Sequence, residues 1–185
     1  VLATARFEGS GLPLDTFAYT EIHLSELGRP ALARLVEVQL GSQPSNALLD
    51  LLMERAQGNP LFAEQILHYL HEGKQLVQTE SGWSITAPNQ TSLPGDIHAL
   101  LVARLDRLTQ AVEEVVQTAA VLGREFEVRL LAEMLLDTAL SEKMAQAEQQ
   151  AIWAALNEIR YIFRHPLMRE VAYRMQVQAR RKVLH

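Results

Sequence analysis

Along most of this chain leucine, isoleucine, valine and alanine return every three or four residues, and glycine or proline cuts one run from the next. That spacing lays apolar side chains along one face of a helix, so a chain built this way has to pack helices against each other. Leu32, Leu35, Val36 and Leu40 make a first face between Pro30 and Gly41. Leu48, Leu49, Leu52, Met53 and Ala56 make a second, behind a Ser45-Asn46 cap and ahead of Gly58. Pro60 suits a first helical turn, and Phe62, Ile66, Tyr69 and Leu70 share one side until Gly73. These runs predict a small helical bundle. Leu76–Glu80 and Trp83–Thr86, flanking Ser81-Gly82, predict a β-hairpin after it.

Ala87 to Gly95 is rich in turn formers and free of pattern, which predicts a linker. Beyond it, Ile97, Leu100, Leu101, Leu105 and Leu108 mark one helix, and Val112, Val115, Val116, Ala119 and Ala120 the next. Gly123 stops that helix, and Val128, Leu131, Ala132 and Leu135 define a third, the order of a helix-turn-helix core. An Ala/Gln-rich stretch then predicts a long helix carrying Ile152, Ala155, Leu156 and Ile159. It runs into the strand-like Tyr161-Ile162-Phe163 and a basic helix with Met168, Val171, Ala172 and Met175. A strand in that place suggests a winged-helix variant. At the other end, Val1–Ala5 reads as a buried strand, and Glu21–Glu26 alternates in the period of a half-buried one. Two strands do not make a sheet alone, and Val1 is not a start methionine, so the chain is expected to continue a larger protein.

Of 185 residues, 48% are hydrophobic and 21% charged, which suits a folded chain rather than a disordered one. There is no cysteine, and this excludes disulfides, thiol nucleophiles and thiolate metal sites. No apolar run approaches the ~18 residues of a membrane-spanning helix, and no signal-peptide pattern opens the sequence, so a cytoplasmic location is expected. The net charge of -5 is unevenly distributed. Residues 1–159 hold ten Lys and Arg against 21 Asp and Glu, whereas residues 160–185 hold seven basic residues against Glu170 alone. Such a basic tail can meet nucleic acid, an acidic partner or the acidic body itself.

Phosphate-loop chemistry is missing, since Gly73-Lys74 has neither the upstream glycine nor the following Ser or Thr. His68 and His71 stand i, i+3 without a third ligand at metal spacing, and no serine sits in a nucleophile elbow. Three local features remain. Arg6 follows the first strand, where open α/β sheets hold ligands. Gly58-Asn59-Pro60 makes a rigid junction between helices, in its simplest reading a helix stop followed by a first-turn proline. Phe163-Arg164-His165-Pro166 sets His165 at a helix N-terminus, where anions are favoured.

Taken in order, Val1–Arg6, Glu21–Leu27, Gln57-Gly58-Asn59-Pro60-Leu61-Phe62, Leu93-Pro94-Gly95-Asp96-Ile97 with Arg104-Leu105-Asp106-Arg107-Leu108, Ala119–Phe126 and Phe163–His185 resemble the downstream half of a STAND-type AAA+ ATPase module. The similar subgroup is the one fused to class III adenylate or guanylate cyclases, LuxR-type transcription regulators and protein kinases. The resemblance implies a mainly α chain: residues 1–28 as the last strands of a P-loop α/β domain, 29–86 as a helical lid with a β-hairpin, 87–95 as a linker, and 96–185 as a winged-helix-like domain with a basic C-terminal helix. It implies a nucleotide-dependent signal-transduction switch, the parent an ATPase and this part inactive alone because Walker A and Walker B would lie upstream. Arg6 is similar to a sensor arginine reading the γ-phosphate, Asn59 and Pro60 to a lid motif near the base, and His165 to a histidine reaching the β-phosphate of ADP. ATP or ADP with Mg would be held only by the intact parent, and the partners would be the upstream P-loop domain and a downstream helical-repeat or effector domain. The sequence departs from the family where Asn157–Arg160 runs almost directly into Tyr161, which implies a shortened wing.

Two other readings compete. The basic C-terminus favours a DNA-binding winged-helix regulator, but residues 96–136 carry Arg104, Arg107, Arg124 and Arg129 against seven acidic residues, a surface that repels phosphate. The other is a helical protein-interaction scaffold.

Overall fold

The computed structural model describes residues 20, 22–80, 82–86, 93–135 and 139–183, with 177–183 as backbone only. The expected strand Val1–Ala5, Arg6, most of the linker, and the side chains of Arg180, Arg181 and Lys182 lie outside the described residues. Within them the chain is mainly helical, with two small antiparallel sheets.

Local chemistry sets the first helices. α1 (Arg29–Leu40) carries Pro30 in its first turn and ends at Gly41, whose φ of 78° lies in the left-handed region. α2 (Asn46–Ala56) is capped by Ser45, whose Oγ accepts from the Leu48 amide at 3.3 Å. α3 (Pro60–Glu72) is capped by Asn59. The hairpin follows as β1 (Leu76–Thr79) and β2 (Gly82–Ile85), with Leu76 opposite Ile85. Gly82 has φ +104°, and a Cβ there would come within 2.0 Å of the Gln43 carbonyl oxygen, so glycine is required for the loop after α1 to pair with β2. Trp83 secures that pairing, its amide donating to Gln43 O at 2.8 Å and its indole Nε1 to Leu40 O at 3.0 Å. Leu32, Val36, Leu48, Leu52, Ile66 and Leu70 form the core of this half, joined from downstream by Leu93 and Leu100.

The second half begins with α4 (Ile97–Leu105), capped by Asp96, and α5 (Gln110–Leu122), capped by Thr109. Then come β3 (Glu125–Glu127), α6 (Val128–Leu135), α7 (Leu140–Gln149), β4 (Trp153–Ala155), β5 (Arg160–Phe163) and α8 (Pro166–Val183). The strands form one antiparallel sheet in the order β3-β5-β4, with Phe126 opposite Tyr161 and Trp153 opposite Phe163. Trp153 is wholly buried, edge-on to Phe126 at 5.2 Å and to Phe163 at 5.7 Å, and its indole N–H donates to Met144 O. α5 packs on α8 and α7 behind the sheet, and this second core is separate from the first. α4 serves both, with Leu100 in one and Leu101 and Leu105 in the other, where Leu108 of the following turn joins them.

The structure differs from the sequence expectations in three places. The Ala/Gln-rich helix does not reach Ile159: α7 stops at Gln149, Ala151 turns left-handed with φ 55°, and Trp153–Ala155 is a strand. The wing is therefore a hairpin with a turn at residues 156–159, where Asn157 Oδ1 accepts from the amides of Ile159 and Arg160. A strand, β3, stands between Gly123 and the third helix of the expected helix-turn-helix. Residues 22–28 are irregular rather than a strand, with Ile22 and Leu24 exposed. Their backbone finds a turn instead of a strand partner, the Leu27 amide donating to Gly58 O at 2.8 Å. Among the described residues no helix is long and apolar enough to cross a membrane.

Candidate functional site

His165 sits where β5 gives way to α8. Phe163, buried in the core, fixes the strand end, and Pro166 starts the helix. Between them the His165 imidazole caps α8, Nδ1 accepting from the Leu167 amide at 3.1 Å. A nitrogen that accepts carries no proton, so the neutral ring must hold its proton on Nε2. Nε2 has no hydrogen-bond partner among the described residues. Burial, and then the Arg124 guanidinium, push this imidazole below its ordinary pKa, which favours that neutral tautomer. Arg124 is held close because its carbonyl oxygen accepts from the Phe163 amide at 2.9 Å. The guanidiniums of Arg124 and Arg164 are exposed and make no ion pair among the described residues. The junction thus presents one N–H donor and the unneutralised Arg124 cation beside a helix N-terminus, whereas the Arg164 charge acts on His68; this donor set fits a phosphate or other small anion.

The lid motif behaves differently. Asn59 Oδ1 accepts from the Phe62 amide at 3.1 Å, so the side chain caps α3, and Pro60 occupies the first helical position. This is the helix stop and first-turn proline of the simplest reading. The turn before it is more constrained than the sequence suggests: Gln57 and Gly58 both have positive φ, and a Cβ on Gly58 would come within 2.6 Å of Glu26 Cβ. No hydrogen bond joins Asn59 to His165, each being used to cap its own helix. They stand at the N-termini of α3 and α8, and α3 carries the chain from Asn59 to His68, about 13 Å along its axis. Arg6 lies outside the described residues.

Among the described residues no group of three or more His, Asp or Glu is placed to hold a metal ion. His68 instead faces cations. Burial first, and then Arg104, Arg164 and His71, lower its pKa from 6.5 to about 4, so it is neutral at physiological pH.

The cluster that sequence reasoning missed is centred on Arg104. Arg104 as a whole is 1% exposed. Nε donates to both Glu72 carboxylate oxygens at 3.0 and 3.2 Å, Nη2 to Glu72 Oε1 at 2.5 Å and to Gln150 O at 2.6 Å, and Nη1 to Gln65 Oε1. Arg107 follows on the same side, donating to Tyr69 O at 2.8 Å with its guanidinium 3.7 Å above the Tyr69 ring. A signal was available: Arg104 occupies an i+4 position on the apolar face set by Leu100 and Leu108, where an unpartnered charge is costly. Comparison of the chain with models of known protein families, with curated proteins and with solved structures found no match.

Proposed function

We infer that this chain is the lid and winged-helix part of a nucleotide-dependent signalling switch similar to those of STAND-type ATPases, inactive as an enzyme by itself. The observation that carries the reading is the His165 junction: a neutral imidazole with Nδ1 committed to its own helix, Nε2–H without a partner among the described residues, and Arg124 unneutralised beside it. An ADP diphosphate is the anion such a donor set would hold in the parent protein, with Asn59 and Pro60 on the lid side. The element order α5-β3-α6-α7-β4-β5, with β5 central in the sheet, supports a winged-helix assignment for the second half, and the α1–α3 bundle supports a lid. Mg and the triphosphate belong to the upstream P-loop domain of the parent, and the effector or helical-repeat domain lies downstream.

The DNA reading finds little support. α7, the helix that a DNA-binding winged helix would lay in the major groove, carries Glu142 and Glu148 against Lys143. Its exposed face consists of Ser141, Glu142, Ala145, Gln146 and Gln149.

The test uses the intact parent protein and two substitutions. His165→Asn keeps a side-chain acceptor to cap α8 but places no donor where Nε2–H was, whereas His165→Ala loses both. A hydrogen bond to a charged acceptor contributes about 1.5–3 kcal/mol, so both variants are expected to release ADP roughly 10- to 150-fold faster. Only His165→Ala should also melt lower. ADP off-rates unchanged in both variants would refute the nucleotide role and leave His165 a helix cap.

A further inference from the structure

We propose that Arg104 is an interdomain lock, a positioning residue that holds the two cores as one body and sets α3 against the junction carrying His165. The cores share no buried side chain: Leu100 belongs to one and Leu101 and Leu105 to the other, all on α4. A single helix shared in this way can act as a hinge as readily as a strut, and something must fix the angle.

The Arg104 guanidinium reaches both sides of that hinge. Toward the first core it holds Gln65 and Glu72, seven residues and two turns apart on α3. Toward the second it holds the Gln150 carbonyl, at the end of α7, where the helix dipole favours a cation. The connection continues in short steps. Gln150 leads through the left-handed Ala151 to Ile152, whose carbonyl accepts from the Arg164 amide at 3.1 Å, and His165 is the next residue. Five hydrogen bonds converge on one planar group, and a lysine ammonium, a point charge with no fork, does not reproduce them. Arg107 on Tyr69 reinforces the α3 side only.

Among the described residues Glu72 is the one carboxylate that Arg104 meets, and Arg104, Arg164 and His71 are the charges that face His68, on the same helix as Glu72. Opening the hinge separates Arg104 from Glu72 or from Gln150, leaving a charge or a carbonyl unpaired in a closed interior. Partial opening is therefore disfavoured, and the junction is either shut or released. The lock does not depend on what His165 binds.

The absence of cysteine makes the test direct. Val38 on α1 and Ala145 on α7 are both exposed, so Val38→Cys with Ala145→Cys accepts a nitroxide pair at those sites alone. Pulsed electron spin resonance on this 185-residue chain is expected to give one narrow distance distribution. Glu72→Gln and Arg104→Lys should each broaden or split it while far-ultraviolet circular dichroism stays unchanged. Arg104→Met with Glu72→Leu, which removes both charges, should recover the melting temperature of the parent and keep the broad distribution, separating stability from coupling. A distribution as narrow in Glu72→Gln and Arg104→Lys as in the parent overturns the proposal. So does a parent distribution that is already broad, or loss of helical structure in both single variants, which would make Arg104 a core-building group.

Discussion

Replacing Gly58 by alanine tests the close backbone contact between the turn before α3 and the segment that leads into α1. Two costs can be worked out separately. With φ at +76°, an alanine here sits in the left-handed region, at about 1–2 kcal/mol for an L residue. Its Cβ would lie 2.6 Å from Glu26 Cβ and 3.0 Å from the Leu27 N and O, all of them on atoms that cannot rotate away. The segment must lift, and the bond from the Leu27 amide to Gly58 O is lost, a further 0.5–1.5 kcal/mol or about that. Alanine also restricts the unfolded chain, which offsets about 0.4–1 kcal/mol. The expected net loss is about 1–3 kcal/mol, read as a lower urea midpoint with an unchanged slope. Hydrogen exchange should speed up at Leu27, whereas the Trp153 amide in the other core should be unaffected. Glu26→Gly removes the nearest atom, so the double variant is expected to recover part of the loss but not the part owed to φ. A Gly58→Ala unfolding free energy within roughly 0.5 kcal/mol of that of the unsubstituted chain would refute the argument, and a double variant no better than the single would refute its steric half.

Acid should weaken the chain through His68. Its pKa in the fold, about 4, is below the ordinary 6.5, so the unfolded chain takes up the proton first; the contribution is intact above pH 6.5 and falls as the pH drops toward 4, by about 3 kcal/mol at most. Urea unfolding at pH 7.5 and 4.5 should show this fall, and His68→Gln should remove it; an equal fall in both proteins would count against it. For His165→Ala in this chain alone, the lost cap should cost about 1 kcal/mol, which His165→Asn should spare, as thermal melts would show. ADP should bind the 185-residue chain no tighter than ~100 µM by calorimetry, since the phosphate-cradling loop is not in it. DNA retention should vanish at physiological salt; a mobility shift that persists there and is lost on neutralising Arg174, Arg180, Arg181 and Lys182 would restore the DNA reading.

The helices of the first half were legible because their determinants are local. Ser45, Asn59 and Pro60 act within four residues of themselves, and the apolar face of α2 needs no knowledge of what it packs against. β3 was not legible, since three residues, Glu125–Glu127, carry no periodicity, and only their pairing with Arg160–Ile162 makes them a strand. The end of α7 was misread for a related reason. Ile152, Ala155, Leu156 and Ile159 satisfy a helical spacing, but Trp153 belongs between Phe126 and Phe163, and that demand arises from residues distant in sequence. At the candidate site, His165 was found from its place before Pro166, whereas the Arg124 beside it is brought there by sheet pairing. Arg104 shows the same division: its position on an apolar face is visible in the sequence, while Gln65, Glu72 and Gln150 are not identifiable as its partners without the fold.

The double membership of α4 also bears on how such a chain could be cut or recombined. A boundary drawn at residue 96, where turn-forming residues end and a helix begins, gives the first half away without Leu100, leaving a gap in the core to which Leu52, Ile66 and Leu70 belong. The other piece would then display Leu100 to water and leave Arg104 with Gln150 but without Gln65 and its counter-charge Glu72. Neither product is a sound module. Grafting this region onto another protein would need both cores to travel together, because a seam before α5 would in turn strip Leu101, Leu105 and Leu108 from the second core and part Arg104 from Gln150.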